Sequence, residues 1–105
     1  MIKILNDAGR YGPIFICDYC GQRIKEAGLA AAITCDSSIA DGEMSDVAYA
    51  HKGACHKALE QKFSTPGAHA GWDELKFHIL NLGMNVGLSP EKLMAHKQSL
   101  QELGM

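Results

Sequence analysis

The chain has 105 residues, of which 47% are apolar and 21% are charged. This composition is typical of a globular domain and excludes disorder along most of the length. The net charge of -2 gives no general attraction to phosphate backbones, because nucleic-acid-binding domains usually carry clustered Lys and Arg. Non-specific nucleic-acid binding is therefore disfavoured by the overall charge.

The apolar stretch at residues 1–5 is followed by Asn6 and Asp7, too early for a signal peptide or a membrane-spanning helix. We therefore expect a cytoplasmic protein with no membrane partner. In a reducing compartment, the four cysteines are expected to be metal ligands or buried thiols rather than disulfides.

The first part of the chain predicts strands followed by a helix. Residues 14–16, 28–35 and 47–51 have the residue types of short strands, and an acidic connection separates the last two. In residues 54–63 three apolar side chains recur at helical spacing, namely Cys55, Leu59 and Phe63. We expect these three side chains to share the inward face of a helix.

The last part of the chain, residues 72–105, predicts two helices. The first has apolar residues at amphipathic spacing, namely Leu75, Ile79, Leu82 and Val86. The second begins at Ser89, which can cap a helix, and Pro90 and Glu91 suit the positions that follow. The sequence therefore predicts a helical pair at this end.

The predicted fold class is α+β, with two parts joined by a linker. A zinc-binding module of strands and one helix occupies residues 1–63, and a helical hairpin occupies residues 72–105. The linker, residues 64–71, consists mostly of small and polar residues around a Pro-Gly pair.

Two pairs of ligand-type residues carry the sharpest chemical signal. Cys17 and Cys20 form a C-x-x-C-G turn, a spacing that lets two thiolates converge on one tetrahedral ion while Gly21 tolerates positive φ. His51 and Cys55 lie where a strand ends and a helix begins, and a thiolate is favoured in a first helical turn. The sequence therefore predicts one structural zinc ion per chain.

The fourth ligand has alternatives. His56 directly follows Cys55 and could replace His51, and Cys35 could complete a site made only of cysteines. His51 is preferred, because adjacent residues rarely both bind one ion and Cys35 is expected to be a small buried side chain.

The order of these residues resembles treble-clef zinc fingers, with a ligand order similar to that of LIM-type fingers. The resemblance covers residues 14–63, and three residues separate His51 from Cys55 where the LIM pattern has two. It implies a zinc knuckle, a β-hairpin and a helix that together hold the ion.

The predicted function is a regulatory protein-interaction module. Four protein ligands leave no open coordination position, so we expect neither catalytic residues nor an enzyme. Trp72, Leu75 and Phe77 would anchor a protein partner or a second copy through the C-terminal helices. The alternative is a DNA-binding regulator, because residues 85–93 loosely resemble a helix-turn-helix.

Overall fold

The computed structural model describes residues 1–34, 40–64 and 70–89, together with Glu91, Lys92, Met94 and Ala95. Within these residues lie the strands β1 (Ile2–Asp7), β2 (Arg10–Ile16), β3 (Arg23–Ile24), β4 (Ala30–Thr34), β5 (Val47–His51) and β6 (Gly71–Glu74), and the helices α1 (Ala54–Phe63) and α2 (Leu75–Asn85). A short 3-10 helix at Ala27–Leu29 precedes β4. The strands form two antiparallel sheets in the orders β1-β2-β3 and β5-β4-β6. The predicted α+β class is confirmed.

The first sheet begins with a hairpin in which Ile2 lies opposite Phe15 and Asp7 lies opposite Arg10. Ala8 and Gly9 form the turn at φ values of 53° and 86°, the backbone twist that two-residue hairpin turns prefer. The sequence predicts only residues 14–16 of this hairpin as strand. Gly and Pro are depleted in strands, so Gly12 and Pro13 keep the first part of β2 from being recognised as a strand in the sequence.

The second sheet contains the other two predicted strands. Strand β5 has the predicted bounds, and β4 spans Ala30–Thr34 where the sequence predicts residues 28–35. Its central strand β4 pairs with β5, with Ala30 opposite His51 and Thr34 opposite Val47. Ala31 and Ala50 are fully buried in this sheet. Their small side chains leave room for α1, which packs on β4 and β5.

Helix α1 covers the predicted residues, and its inward face is confirmed. Leu59 is buried, and Cys55 and Phe63 pack against the same core. Gly53 precedes the helix at φ 97°, a conformation that glycine adopts without the strain of a Cβ. The chain can therefore turn sharply from β5 into α1.

The helix predicted to start at Trp72 begins only at Leu75. Residues 71–74 form β6 instead, with Trp72 opposite Ile33 in β4. This strand satisfies backbone groups on an otherwise open edge of β4, which is a tertiary gain that local periodicity does not report. Leu75, predicted as an anchor for a partner, is 1% exposed and joins the core of the first unit instead.

By compactness the chain divides into a unit at Met1–Leu75 and a second unit at Lys76–Met105. The domain and linker boundaries drawn from the sequence stay a prediction. None of the helices in the described residues is long and apolar enough to cross a membrane.

In the second unit, α2 ends in a hydrogen-bonded glycine motif. Gly87 has φ 80°, and the N–H groups of Gly87 and Leu88 donate to the carbonyls of Met84 and Gly83 at 3.1 and 2.7 Å, as in a Schellman motif. Ser89 then accepts a hydrogen bond from the backbone N–H of Lys92 at 3.3 Å, which is the predicted cap. Most of the second predicted helix lies outside the described residues.

Candidate metal centre

Four predicted ligands come together from four places in the first unit. Cys17 directly follows β2, Cys20 lies in the next turn, His51 ends β5 and Cys55 lies in the first turn of α1. Their ligand atoms all lie within 4.8 Å of one another. This arrangement is positioned to bind one metal ion.

The Cys17–Cys20 turn is closed by backbone hydrogen bonds. The N–H of Gly21 donates to the Cys17 carbonyl at 3.0 Å, and the N–H of Cys17 donates to the Gln22 carbonyl at 2.9 Å. Gly21 adopts φ 75°, a positive value of the kind that the sequence predicts for this glycine. The two sulfur atoms are therefore brought to the same side of a tight knuckle.

The ring of His51 is oriented for coordination through one nitrogen. Nδ1 lies 3.5 Å from Cys20 Sγ, and a tetrahedral ion at usual zinc bond lengths holds such a pair about 3.6 Å apart. Nε2 lies 3.3 Å from the Arg23 carbonyl oxygen. Donation from Nε2–H to this carbonyl leaves the Nδ1 lone pair for the metal.

Asp18, inside the C-x-x-C turn, is a positioning residue that sequence reasoning missed. Its N–H donates to the Tyr49 carbonyl at 2.7 Å, and its carboxylate accepts from the Tyr49 N–H at 2.7 Å. These two bonds join the knuckle to β5 two residues before His51. The only signal in the sequence is an acidic residue in the turn, which solvent exposure explains equally well.

Two cysteine pKa values in the cluster shift in opposite directions. Burial raises the pKa of Cys17, but backbone hydrogen bonds from Cys20, His51 and Tyr19 outweigh burial and lower it to about 6. Burial raises the pKa of Cys55, and the Cys17 and Cys20 sulfurs raise it further, to about 11. The cluster therefore favours the thiolate form of Cys17 and disfavours the thiolate form of Cys55. A bound cation removes the penalty at Cys55.

His56, one of the two alternative fourth ligands, does not compete with His51. His56 points elsewhere, since its Nε2 lies 3.4 Å from a Glu60 carboxylate oxygen and its ring packs edge-on against Trp72 at 4.9 Å. Cys35 lies outside the described residues.

Comparison with protein-family models, with curated proteins and with solved structures finds no significant match to the chain. The resemblance to treble-clef fingers stays a prediction about family.

The neighbouring histidines make a matched pair of variants. We expect His51→Ala to weaken zinc binding by at least about tenfold, because it removes a ligand rather than a supporting contact. His56→Ala removes the same side chain five residues further along. Loss even of a contact that supports a ligand costs at least about tenfold, and His56 points away from the centre, so this variant should keep zinc affinity within about twofold of that of the unmodified chain. Competition with a chromophoric chelator measures both affinities. Equal losses in the two variants would contradict this ligand set.

Zinc affinity should rise with pH. Cys55, with a pKa of about 11, is a thiol at neutral pH and must release its proton to bind the metal. Affinity should therefore rise at least about tenfold per pH unit between pH 6.5 and 8, and more steeply below the Cys17 pKa of about 6. Calorimetric titration in buffers of different ionisation enthalpy counts the released protons. Release of no proton at pH 7 would show that Cys55 does not bind as a thiolate.

Proposed function

We propose that the chain is a structural-zinc binding module that mediates protein–protein interaction. The observation that carries the zinc assignment is the convergence of three cysteine sulfurs and one oriented histidine nitrogen within 4.8 Å. Soft thiolates and imidazole in a four-donor set favour zinc over magnesium or calcium, which prefer oxygen.

A structural role follows from the number of donors. Four protein ligands complete a tetrahedral shell, and catalytic zinc sites keep a fourth position for water or substrate. Cys17 is only 1% exposed, so one side of the centre is closed to solvent. We therefore propose that the ion stabilises the fold and that the chain is not an enzyme.

The order of the ligating elements supports a treble-clef type of module. The knuckle at Cys17–Cys20 comes first, the antiparallel strands β4 and β5 follow, and α1 then contributes Cys55 from its first turn. His51 ends the second of these strands, which keeps the LIM-like ligand order. The first hairpin, β1–β2, precedes this arrangement.

The interaction role is supported by α2, within the second unit. Phe77, Leu80 and Met84 share one helical face at 50%, 43% and 62% exposure. Ile79 and Leu82 share a neighbouring face at 40% and 45% exposure, and Val86 directly follows the helix at 80% exposure. Exposed apolar side chains on two faces of one helix are typical of a surface that a protein partner or a second copy covers.

The DNA-binding alternative stays a prediction. Its proposed second helix begins at the cap by Ser89. Of the four residues that would enter a groove, Lys92 donates to the Gly87 carbonyl at 3.2 Å, and His96, Lys97 and Gln98 lie outside the described residues.

The interaction role predicts that α2 and zinc can be separated experimentally. Phe77→Glu with Met84→Glu should abolish self-association or capture of a purified partner, while one equivalent of zinc remains bound, because both side chains are exposed on one helix face. Sedimentation over a wide concentration range and metal analysis give the two readouts.

Met44→Glu, at a residue 95% exposed in the other unit, is the control for an added charge. Association that survives the double substitution would refute the interaction role. A zinc content well below one equivalent in the unmodified chain would refute the zinc module instead.

A further inference from the structure

The first sheet has one strongly basic face. Because side chains alternate along strands, Lys3 and Asp7 of β1 share a face with their register neighbours in β2, which include Arg10 opposite Asp7. Arg23 of β3 lies opposite Ile16 and joins the same face. We call this set the basic face. It carries three cations and one carboxylate, although the whole chain has a net charge of -2.

The opposite face of the same sheet packs against the core at its β3 end, whereas Ile4 and Tyr11 farther along that face are 65% and 72% exposed. Ile24 is buried there at 7% exposure, and the Phe15 ring packs edge-on against Tyr49 at 4.8 Å. At the β3 end the basic face is therefore the one that points away from the core. Its charged residues are all exposed.

A shallow cavity of about 260 Å³ lies on the basic face. Its lining includes the half-buried Leu5, Gly12 and Ile14 and the charged Asp7, Arg10 and Arg23. In the strand register Arg10 and Arg23 lie on opposite sides of Gly12 and Ile14. Gly12 does not have a positive φ, and a Cβ built on it would meet nothing within 4 Å. The backbone of β2 therefore does not require glycine at this position. The effect of Gly12 is to leave open space above the strand, and a glycine in a strand often marks a place where a ligand approaches closely.

The guanidinium groups of the basic face are free within the described part of the chain. The ion pairs found there join other groups, and neither Arg10 nor Arg23 takes part in them. Arg10 does not pair even with Asp7, its register neighbour. Free guanidinium groups are the preferred donors to phosphate, which they bind through two parallel N–H bonds.

We propose that the basic face binds single-stranded nucleic acid. Arg10 and the position beside Arg23 are six residues apart on β2, about 20 Å along a strand. A ligand that reaches both arginines must carry anionic groups along its length, as a nucleic-acid backbone does, whereas one phosphorylated side chain would meet only one arginine. The aliphatic part of the cavity offers an unstacked base an apolar surface away from water.

Nucleic-acid binding does not depend on the interaction role of α2, but the basic face shares one contact with the metal centre. The Arg23 carbonyl accepts the hydrogen bond from His51, so the metal helps to hold β3. The test therefore uses the zinc-loaded full chain, and substitutions of the Arg23 side chain leave that carbonyl in place.

The test is fluorescence anisotropy of a labelled oligothymidylate of about 15 nucleotides, a length near the upper site size of small single-strand binders. We expect binding near 50 mM salt with a log–log salt slope of about -2, since three cations contribute about 0.7 each. Arg10→Gln and Arg23→Gln should each weaken binding about eightfold at that salt and reduce the slope by about 0.7. Gly12→Val fills the cavity and should also weaken binding.

Lys57→Gln is the matched control, because it removes one exposed positive charge from α1. Circular dichroism and zinc content establish that each variant is folded. Undetectable binding near 50 mM salt, or equal losses in Lys57→Gln and the arginine variants, would overturn the proposal. Tighter binding of a phosphopeptide or of anionic lipid vesicles through the same arginines would also overturn it. Unchanged affinity in Gly12→Val would exclude a base in the cavity.

Discussion

Three cysteine sulfurs and one imidazole nitrogen within 4.8 Å of one another are the constraint on which the first unit depends. Thiolates at this separation repel, and burial together with the neighbouring Cys17 and Cys20 sulfurs raises the Cys55 pKa to about 11. A divalent cation converts the repulsion into attraction and ties the end of β2 to the end of β5 and the start of α1. Five of the buried apolar residues in the described chain are alanines, so hydrophobic burial is modest. Zinc binding in small fingers contributes about 10 to 16 kcal/mol, comparable to the whole stability of many domains.

Backbone contacts carry the geometry of the centre outward. Asp18 joins the knuckle to Tyr49 in β5, and His51 joins β5 to the Arg23 carbonyl in β3. The Asp18 contacts link the knuckle to β5, which contributes His51. The His51 contact links β5 to β3, which contributes no ligand. A bound metal would therefore support the first sheet as well as the second. The basic face on the first sheet belongs to the same network, so an ion would help to hold the proposed binding surface without contacting it.

The ligands and their nearest elements were predictable from the sequence because their signals are local. The C-x-x-C-G turn, strand β5 and the apolar spacing of α1 each lie within ten residues, and the structure brings Cys17, Cys20, His51 and Cys55 together. Strand β6 and the contacts of Asp18 were not predictable, because they depend on partners far along the chain. The basic face was hidden for a different reason. Its cations are spread over three strands, so only the register places them together.

The central claim is that one zinc ion is held by three cysteines and His51. X-ray absorption at the zinc edge of the loaded full chain tests it most directly, because sulfur and nitrogen neighbours differ in distance and scattering. The account predicts three sulfur atoms at about 2.3 Å and one nitrogen at about 2.0 to 2.1 Å. A shell of four sulfurs would show that Cys35 replaces His51, and a shell dominated by oxygen or nitrogen would contradict the site altogether.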